Sequence, residues 1–351
     1  MNAMWSDVTS NYPGVWRYAP LCNIEEETAE MLSDKQSPEI APPVEAPELA
    51  DRLGVRKFLL LPLTFGPGGT FKDLEAAVVL AKIVEEKKSG QRLSWHSTGN
   101  TARAYREFAH RASIENYSFF PIQCLSKWNG VQAYDQSTLV AFNGPFQGVS
   151  AAAKAFAKKE GLRHLAPLDW KLAGKAPAAY PIVEFCPEAT CIVQTIAGGY
   201  GPLGILQGLK HCVERGLLDQ SNLPRFELFQ IEGADTISRL IPLGREITET
   251  DLMLPVNPFE PTLQSTNPLS TFNHVRRLIN DTQSAISSVN ETSVVAEKDL
   301  LFEACSKRDI PLSYVDEKCP FISWAGLCAR ADHGNMRSDD VVVMLVTGSP
   351  A

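Results

Sequence analysis

The stretch Cys191-Ile-Val-Gln-Thr-Ile-Ala-Gly198-Gly199-Tyr200-Gly201-Pro-Leu-Gly204 runs from an apolar, β-branched segment into a glycine-rich turn and on into a helical pattern. Periodicity predicts a strand over 189–197 and a helix over 202–215. Glycines at such a junction let the backbone approach an anion, and the helix start presents unpaired N–H groups with partial positive charge. The plainer alternative is a tight strand-to-helix turn that binds nothing. The glycine spacing also matches the dinucleotide fingerprint, with Glu232 closing the next strand where a ribose-binding acid would sit.

Outward from this junction the chain alternates. Strands are expected over 57–63, 92–96, 118–121, 138–142, 226–231 and 340–346. Helices are expected over 73–88, 101–112, 149–160 and 297–307. Strands alternating with helices of ten or more residues imply βαβ units, hence an α/β fold with parallel sheets. Residues 23–47 are polar and acidic with prolines at 38, 42, 43 and 47, and are read as a surface entry segment outside the core. The stretch 255–268 is read as a long functional loop or crossover. No internal repeat is visible.

At 351 residues the chain suits one large domain or two linked ones. A net charge of −8 gives no footprint for a polyanion, so a dedicated nucleic-acid binder is disfavoured. The apolar runs at 58–63 and 341–346 are strand-sized, too short for a membrane span. The N-terminus lacks the basic-then-apolar order of a secretory signal. The eight cysteines are scattered, several inside apolar segments, which predicts reduced, buried thiols and a cytoplasmic setting. No His or Cys pair stands at zinc-finger spacing, so no metal site is expected.

Three further stretches carry candidate chemistry. In Gly66-Pro-Gly-Gly-Thr70-Phe71-Lys72-Asp73 a lysine follows a buried strand and a glycine-rich turn, where a helix begins. Helix starts favour acids, so a lysine here invites a use for its amine, as in Schiff-base formation; an exposed lysine paired with Asp73 is the simpler account. Ser97-Thr98-Gly99-Asn100-Thr101, between a strand end and a helix, gathers hydroxyls and an amide suited to a carboxylate, or merely caps the helix. Thr347-Gly348 follows the last strand, at the end where ligands of parallel sheets collect, or simply ends it.

Taken in this order, the four stretches resemble the fold-type II pyridoxal-phosphate enzymes, particularly the threonine synthase branch. Thr70-Phe71-Lys72-Asp73, followed by Leu-Glu-Ala, is similar to that family's Ser-Phe-Lys-Asp motif. Ser97-Thr98-Gly99-Asn100-Thr101 is similar to its Ser-Gly-Asn-Thr motif. Gly198–Gly204 stands where its phosphate loop does, and Thr347-Gly348 matches its final-strand Thr-Gly. Gly14-Val-Trp-Arg-Tyr18 and Gln230-Ile-Glu-Gly-Ala234 are supporting echoes. The phosphate loop lacks the Asn common in threonine synthases, and the strand before Lys72 lacks the usual charged residues.

The resemblance implies a tryptophan synthase β-subunit-like enzyme of two lobes, each an open, mostly parallel sheet flanked by helices. A small substrate-gripping lobe over 76–175 would be inserted into a large cofactor lobe over 1–75 and 176–351. It implies that Lys72 forms the Schiff base with pyridoxal 5'-phosphate and then acts as acid and base. Gly198, Gly199, Tyr200 and Gly201 would hold the phosphate, Asn100 the cofactor ring hydroxyl and Thr347 the pyridine nitrogen. Ser97, Thr98, Asn100 and Thr101 would grip the substrate carboxylate. The implied activity is that of a carbon–oxygen lyase or synthase: elimination with replacement on an O-phosphorylated or otherwise activated amino acid, as in threonine synthase. Cysteate or cysteine synthase-like β-replacement by sulfur is the alternative, and a non-catalytic regulatory cofactor-binding protein a different class. The partner is a small amino acid, with no nucleic acid or membrane, and a homodimer is compatible. A dinucleotide reading leaves Lys72 and Asn100 unexplained.

Overall fold

A computed structural model describes residues 5–33, 39–86, 90–128, 132–165, 168–252, 259–263 and 267–348. Strands are β1 (Val44–Glu45), β2 (Lys57–Pro62), β3 (Arg92–His96), β4 (Glu115–Pro121), β5 (Ser137–Phe142), β6 (Arg163–His164), β7 (Cys191–Thr195), β8 (Arg225–Ile231), β9 (Ala285–Val289) and β10 (Val341–Val346). Helices are α1 (Glu26–Leu32), α2 (Pro47–Leu53), α3 (Lys72–Glu85), α4 (Asn100–Arg111), α5 (Phe146–Glu160), α6 (Leu168–Ala173), α7 (Tyr180–Phe185), α8 (Tyr200–Glu214), α9 (Thr236–Leu240), α10 (Phe272–Asp281), α11 (Glu291–Ser306) and α12 (Cys319–Asp332).

The chain packs as two compact units, residues 40–64 with 178–350 and residues 2–39 with 65–177. In the first, the sheet order among the described residues is β1-β2-β10-β7-β8-β9. Every pairing is parallel except the short β1, which runs against β2 with Val44 opposite Leu60. The central strands are largely apolar and buried on both faces, as a covered parallel sheet requires. One face packs on α2, α11 and α12, burying Leu49, Phe58, Val193, Leu301, Trp324 and Met344 in a common core. In the second unit the parallel order is β5-β4-β3-β6.

The α/β expectation holds, with differences at the ends. Residues 23–47 are not merely draped over the surface. Within them α1 buries Thr28, Ala29 and Leu32 and packs on α3, while Glu25 N–H donates to Glu85 Oε1 at 2.7 Å. Val44 and Glu45 extend a sheet, and residues 34–38 lie outside the described residues. Of the expected loop 255–268, residues 255–258 and 264–266 lie outside the described residues, whereas Glu260 and Leu263 are buried. Strand β9 and helices α10 and α12 go beyond the sequence reading. All eight cysteines are buried free thiols. Among the described residues no helix is long and apolar enough to cross a membrane.

Candidate active site

Lys72 is the first residue of α3, half-buried, with its amine 4.8 Å from the centroid of the Phe71 ring. Asp73 is almost wholly buried and turned to the preceding loop, where it accepts hydrogen bonds from the N–H groups of Gly68 at 3.0 Å and Thr70 at 3.1 Å. The simple reading of an exposed lysine leaning on Asp73 therefore does not describe this turn. The Lys72 N–H donates to Thr70 Oγ1 at 3.1 Å, so Thr70 and Asp73 together set the entry angle of the helix. The glycine loop backs onto α4, Gly68 lying beside Ala104.

The structure places Ser97, Thr98, Asn100 and Thr101 around the start of α4. Ser97 is buried and performs the capping role: its Oγ accepts from the N–H groups of Gly99 and Ala102, both at 3.0 Å. Its own hydrogen is left to donate. Thr98, Asn100 and Thr101 are half-buried at the helix start. Just before them stands a pair that sequence reasoning passed over. His96 Nδ1 lies 3.1 Å from His164 Nε2, and His164 Nδ1 lies 2.9 Å from Ser94 Oγ. Burial, reinforced by Lys171, His164 and Lys154, holds His96 down to about 3; burial with Lys154 and Lys171 holds His164 down to about 4. Both imidazoles are thus neutral near pH 7. The only sequence signal was that Ser94 and His96 share one face of a strand.

In the other unit, β7 leads through Gly198 and Gly199 into α8. Gly199 has φ +83°, and a Cβ there would come 2.5 Å from Val275 Cγ2; a Cβ on Gly201 would come 2.5 Å from Gln194 Nε2. Positive φ and the Val275 contact require glycine at 199, whereas a side chain at 201 would have to displace the Gln194 amide. Helix α8 has no side-chain cap, and the Gln194 side chain lies against Gly201 in its first turn with its Oε1 buried and without a partner. Thr271 Oγ1 donates to the Gly198 carbonyl and fixes the loop from behind. Gln230, which sequence reading took only as an echo, props the same loop by donating from Nε2 to the Ala197 carbonyl at 3.0 Å. This glycine cradle at an uncapped helix start suits a phosphate ester. Strand β10 runs parallel beside β7, with Met344 opposite Val193, so Thr347 leaves the same sheet edge as the Gly198–Gly201 loop. Gly348 is pressed against the buried Glu317 side chain, which explains the small residue after Thr347.

Each unit thus assembles half of the predicted set: Lys72 with the Ser97–Thr101 turn in one, the glycine loop with Thr347 in the other. Among the described residues no cluster of three or more His, Cys, Asp or Glu is placed to hold a metal.

Comparison with known proteins gives the arrangement a context. Residues 36–348 match the family model described as pyridoxal-phosphate dependent enzyme. A threonine synthase of Methanosarcina acetivorans is 24% identical over 345 residues, covering 96% of this chain and 79% of that one. Maize serine racemase aligns with a TM-score of 0.71 at 17% identity, over 93% of this chain and 95% of that chain. Threonine deaminase isoform 2 of Solanum lycopersicum aligns at 0.70 and 16%, over 93% and 90%. The two mostly parallel, helix-flanked sheets are those of the fold-type II enzymes.

Proposed function

The chain belongs to the pyridoxal-phosphate dependent enzymes, and from that premise we propose that it catalyses elimination with replacement on an amino acid carrying an O-phosphoryl or similar leaving group, in the manner of a threonine synthase. Membership supports a cofactor phosphate over a dinucleotide as the ligand of the glycine loop. The observation that carries the proposal is the shared sheet edge, where a glycine-rich helix start suited to an anion and the neutral hydroxyl of Thr347 leave adjacent parallel strands.

When bound, pyridoxal phosphate supplies an electron sink for the bonds at an amino acid's α-carbon. Lys72 is the residue we assign to attach it through the amine, and afterwards to take and return protons at the substrate carbons. The Gly198, Gly199, Tyr200 and Gly201 backbone would hold the phosphate. Thr347 would offer the ring nitrogen a hydrogen bond without a carboxylate's hold on a proton, which would favour elimination over transamination. Asn100 would serve the ring hydroxyl, and Ser97, Thr98 and Thr101 would join it in gripping the substrate carboxylate. The distant threonine synthase likeness supports replacement as the outcome.

The test is a screen of O-phosphohomoserine, O-phosphoserine and O-acetylserine, following phosphate or acetate release and identifying the amino-acid product. Threonine from O-phosphohomoserine is the expected result. A sulfur-substituted product from a three-carbon substrate, formed only with added sulfite or sulfide, would move the assignment to β-replacement. Release of a keto acid and ammonia in every case would make the protein a deaminating lyase and overturn the replacement reading. Lys72→Ala is expected to lose the borohydride-reducible cofactor bond and all turnover.

A further inference from the structure

Beneath the first turn of α3 lies an ion pair that the proposed chemistry does not use. Glu75 and Lys175 are 1% and 2% exposed, and the Lys175 amine pairs with Glu75 Oε2. Tyr105 donates its hydroxyl to Glu75 Oε1 at 2.9 Å, and Lys175 also donates to the Lys171 carbonyl at 3.1 Å. Both carboxylate oxygens are therefore claimed. The pair is built in by the backbone: a Cβ on Gly174 would come 2.8 Å from the Glu75 Cα, so only glycine lets the chain after α6 lie against α3 and deliver Lys175 there.

Glu75 stands three residues after Lys72 on α3, the spacing at which helical side chains are neighbours. Burial would raise the Glu75 carboxyl, but Lys175, then Lys171 and Lys72, hold it below its ordinary value. Burial brings the Lys175 amine down to about 7, opposed by Glu75 and aided by Lys72. After Lys175, the cations that act on this carboxylate are Lys171 and then Lys72, and of these two Lys72 shares its helix, one turn away. A buried carboxylate stripped of its counter-ion must take up a proton or draw on the cations left around it.

We propose that Lys175 is a positioning residue that, as the dedicated counter-ion of Glu75, keeps this carboxylate from capturing the Lys72 amine and leaves that amine available to the cofactor aldehyde. The inference rests on Lys72 being the cofactor lysine. A purely structural pair would stabilise the fold without touching the protonation behaviour of Lys72.

The experiment loads full-length protein with pyridoxal phosphate across a pH series, reduces with borohydride, and quantifies the modified Lys72 peptide by mass spectrometry. Circular dichroism and thermal unfolding follow the fold. In Lys175→Met the labelled fraction at neutral pH is expected to fall at least fivefold, and the pH midpoint of labelling to rise by about one unit or more. Lys175→Met combined with Glu75→Gln is expected to restore both, because no unpaired carboxylate remains. Should Lys175→Met fail to fold, Lys175→Gln keeps a donor to Oε2 while removing the charge, and is expected to show the same upward shift. Labelling in the folded single variant that matches wild type in amount and midpoint overturns the proposal, as does a double variant that is not rescued. Absence of label on Lys72 in the wild type would instead bring down the underlying assignment of the cofactor lysine.

Discussion

The Asp73 carboxylate takes the Gly68 N–H at both oxygens, 3.0 Å to Oδ1 and 3.2 Å to Oδ2. An acid beside the proposed cofactor lysine is thereby committed to the loop that precedes it. Burial pushes Asp73 up to about 7, against the help of the Thr70 and Gly68 N–H groups and of Arg103.

Asp73→Ala leaves those two buried N–H groups without their acceptor, at a cost of about 1–3 kcal/mol each, partly offset by relief of a buried charge. A net loss of about 2 kcal/mol by urea unfolding is expected, with weaker cofactor retention. Asp73→Asn keeps an acceptor and should lose less. Because the folded-state value lies above 3.8, the acid's contribution is fully present below that pH and lost as pH rises through about 7. The Asn variant should lack this decline, and an unchanged pH profile would contradict the account.

The histidine pair runs the other way. His96 and His164 titrate near 3 and 4 in the fold against 6.5 when unfolded, so they favour the folded state above pH 6.5 and lose that contribution as pH falls toward 4. Replacing His164 with Gln should make stability fall less steeply between pH 6.5 and 4, while stability at pH 8 changes little. Proton uptake on acid unfolding, measured by titration, should drop by about one proton.

Gly201→Asp should weaken cofactor retention far more than folding. Its Cβ would displace the Gln194 amide, and its carboxylate would repel a phosphate among the N–H groups of the α8 start. Equal cofactor occupancy after dialysis in wild type and variant would move the phosphate site elsewhere.

Two changes at Thr347 separate an electronic role from a structural one. Thr347→Asp should favour a protonated ring nitrogen, raising long-wavelength absorbance and transamination side product while elimination falls. Thr347→Val should remove one hydrogen bond, about 0.5–1.5 kcal/mol, and lower cofactor affinity modestly without new chemistry. Indistinguishable spectra and product ratios would mean that Thr347 only ends a strand.

At the opposite sheet edge, Arg225 holds the buried Asp340 with two bonds of 2.6 and 2.7 Å, tying the starts of β8 and β10 across β7. Arg225→Met strands that carboxylate and should cost about 3–5 kcal/mol of stability. In the cold, where the variant stays folded, cofactor labelling of Lys72 should be unchanged, since the pair lies at the strand starts and the glycine loop at their ends. A parallel loss of labelling would show that the two edges are coupled.

The amino-acid sequence by itself determined the features that local spacing carries. Alternation of apolar runs announced the parallel α/β class. Glycines between β7 and α8, and the position of Lys72 after Gly66–Gly69, announced the elements on which the candidate groups stand. Helix α12 escaped because Cys319 through Cys328 are buried, so its first ten residues show no polar stripe to reveal a 3.6-residue period. Strand β9, with serines at 287 and 288 at a sheet edge, is too polar to read as a strand. Tertiary structure alone decided that β10 inserts between β2 and β7 and so brings Thr347 to the edge that carries the glycine loop. It alone paired Glu75 with Lys175 and His96 with His164, residues 100 and 68 positions apart. The physical reason is that a residue's spacing is written in the chain, whereas the charge or hydrogen bond it meets once buried depends on which distant surface folds against it.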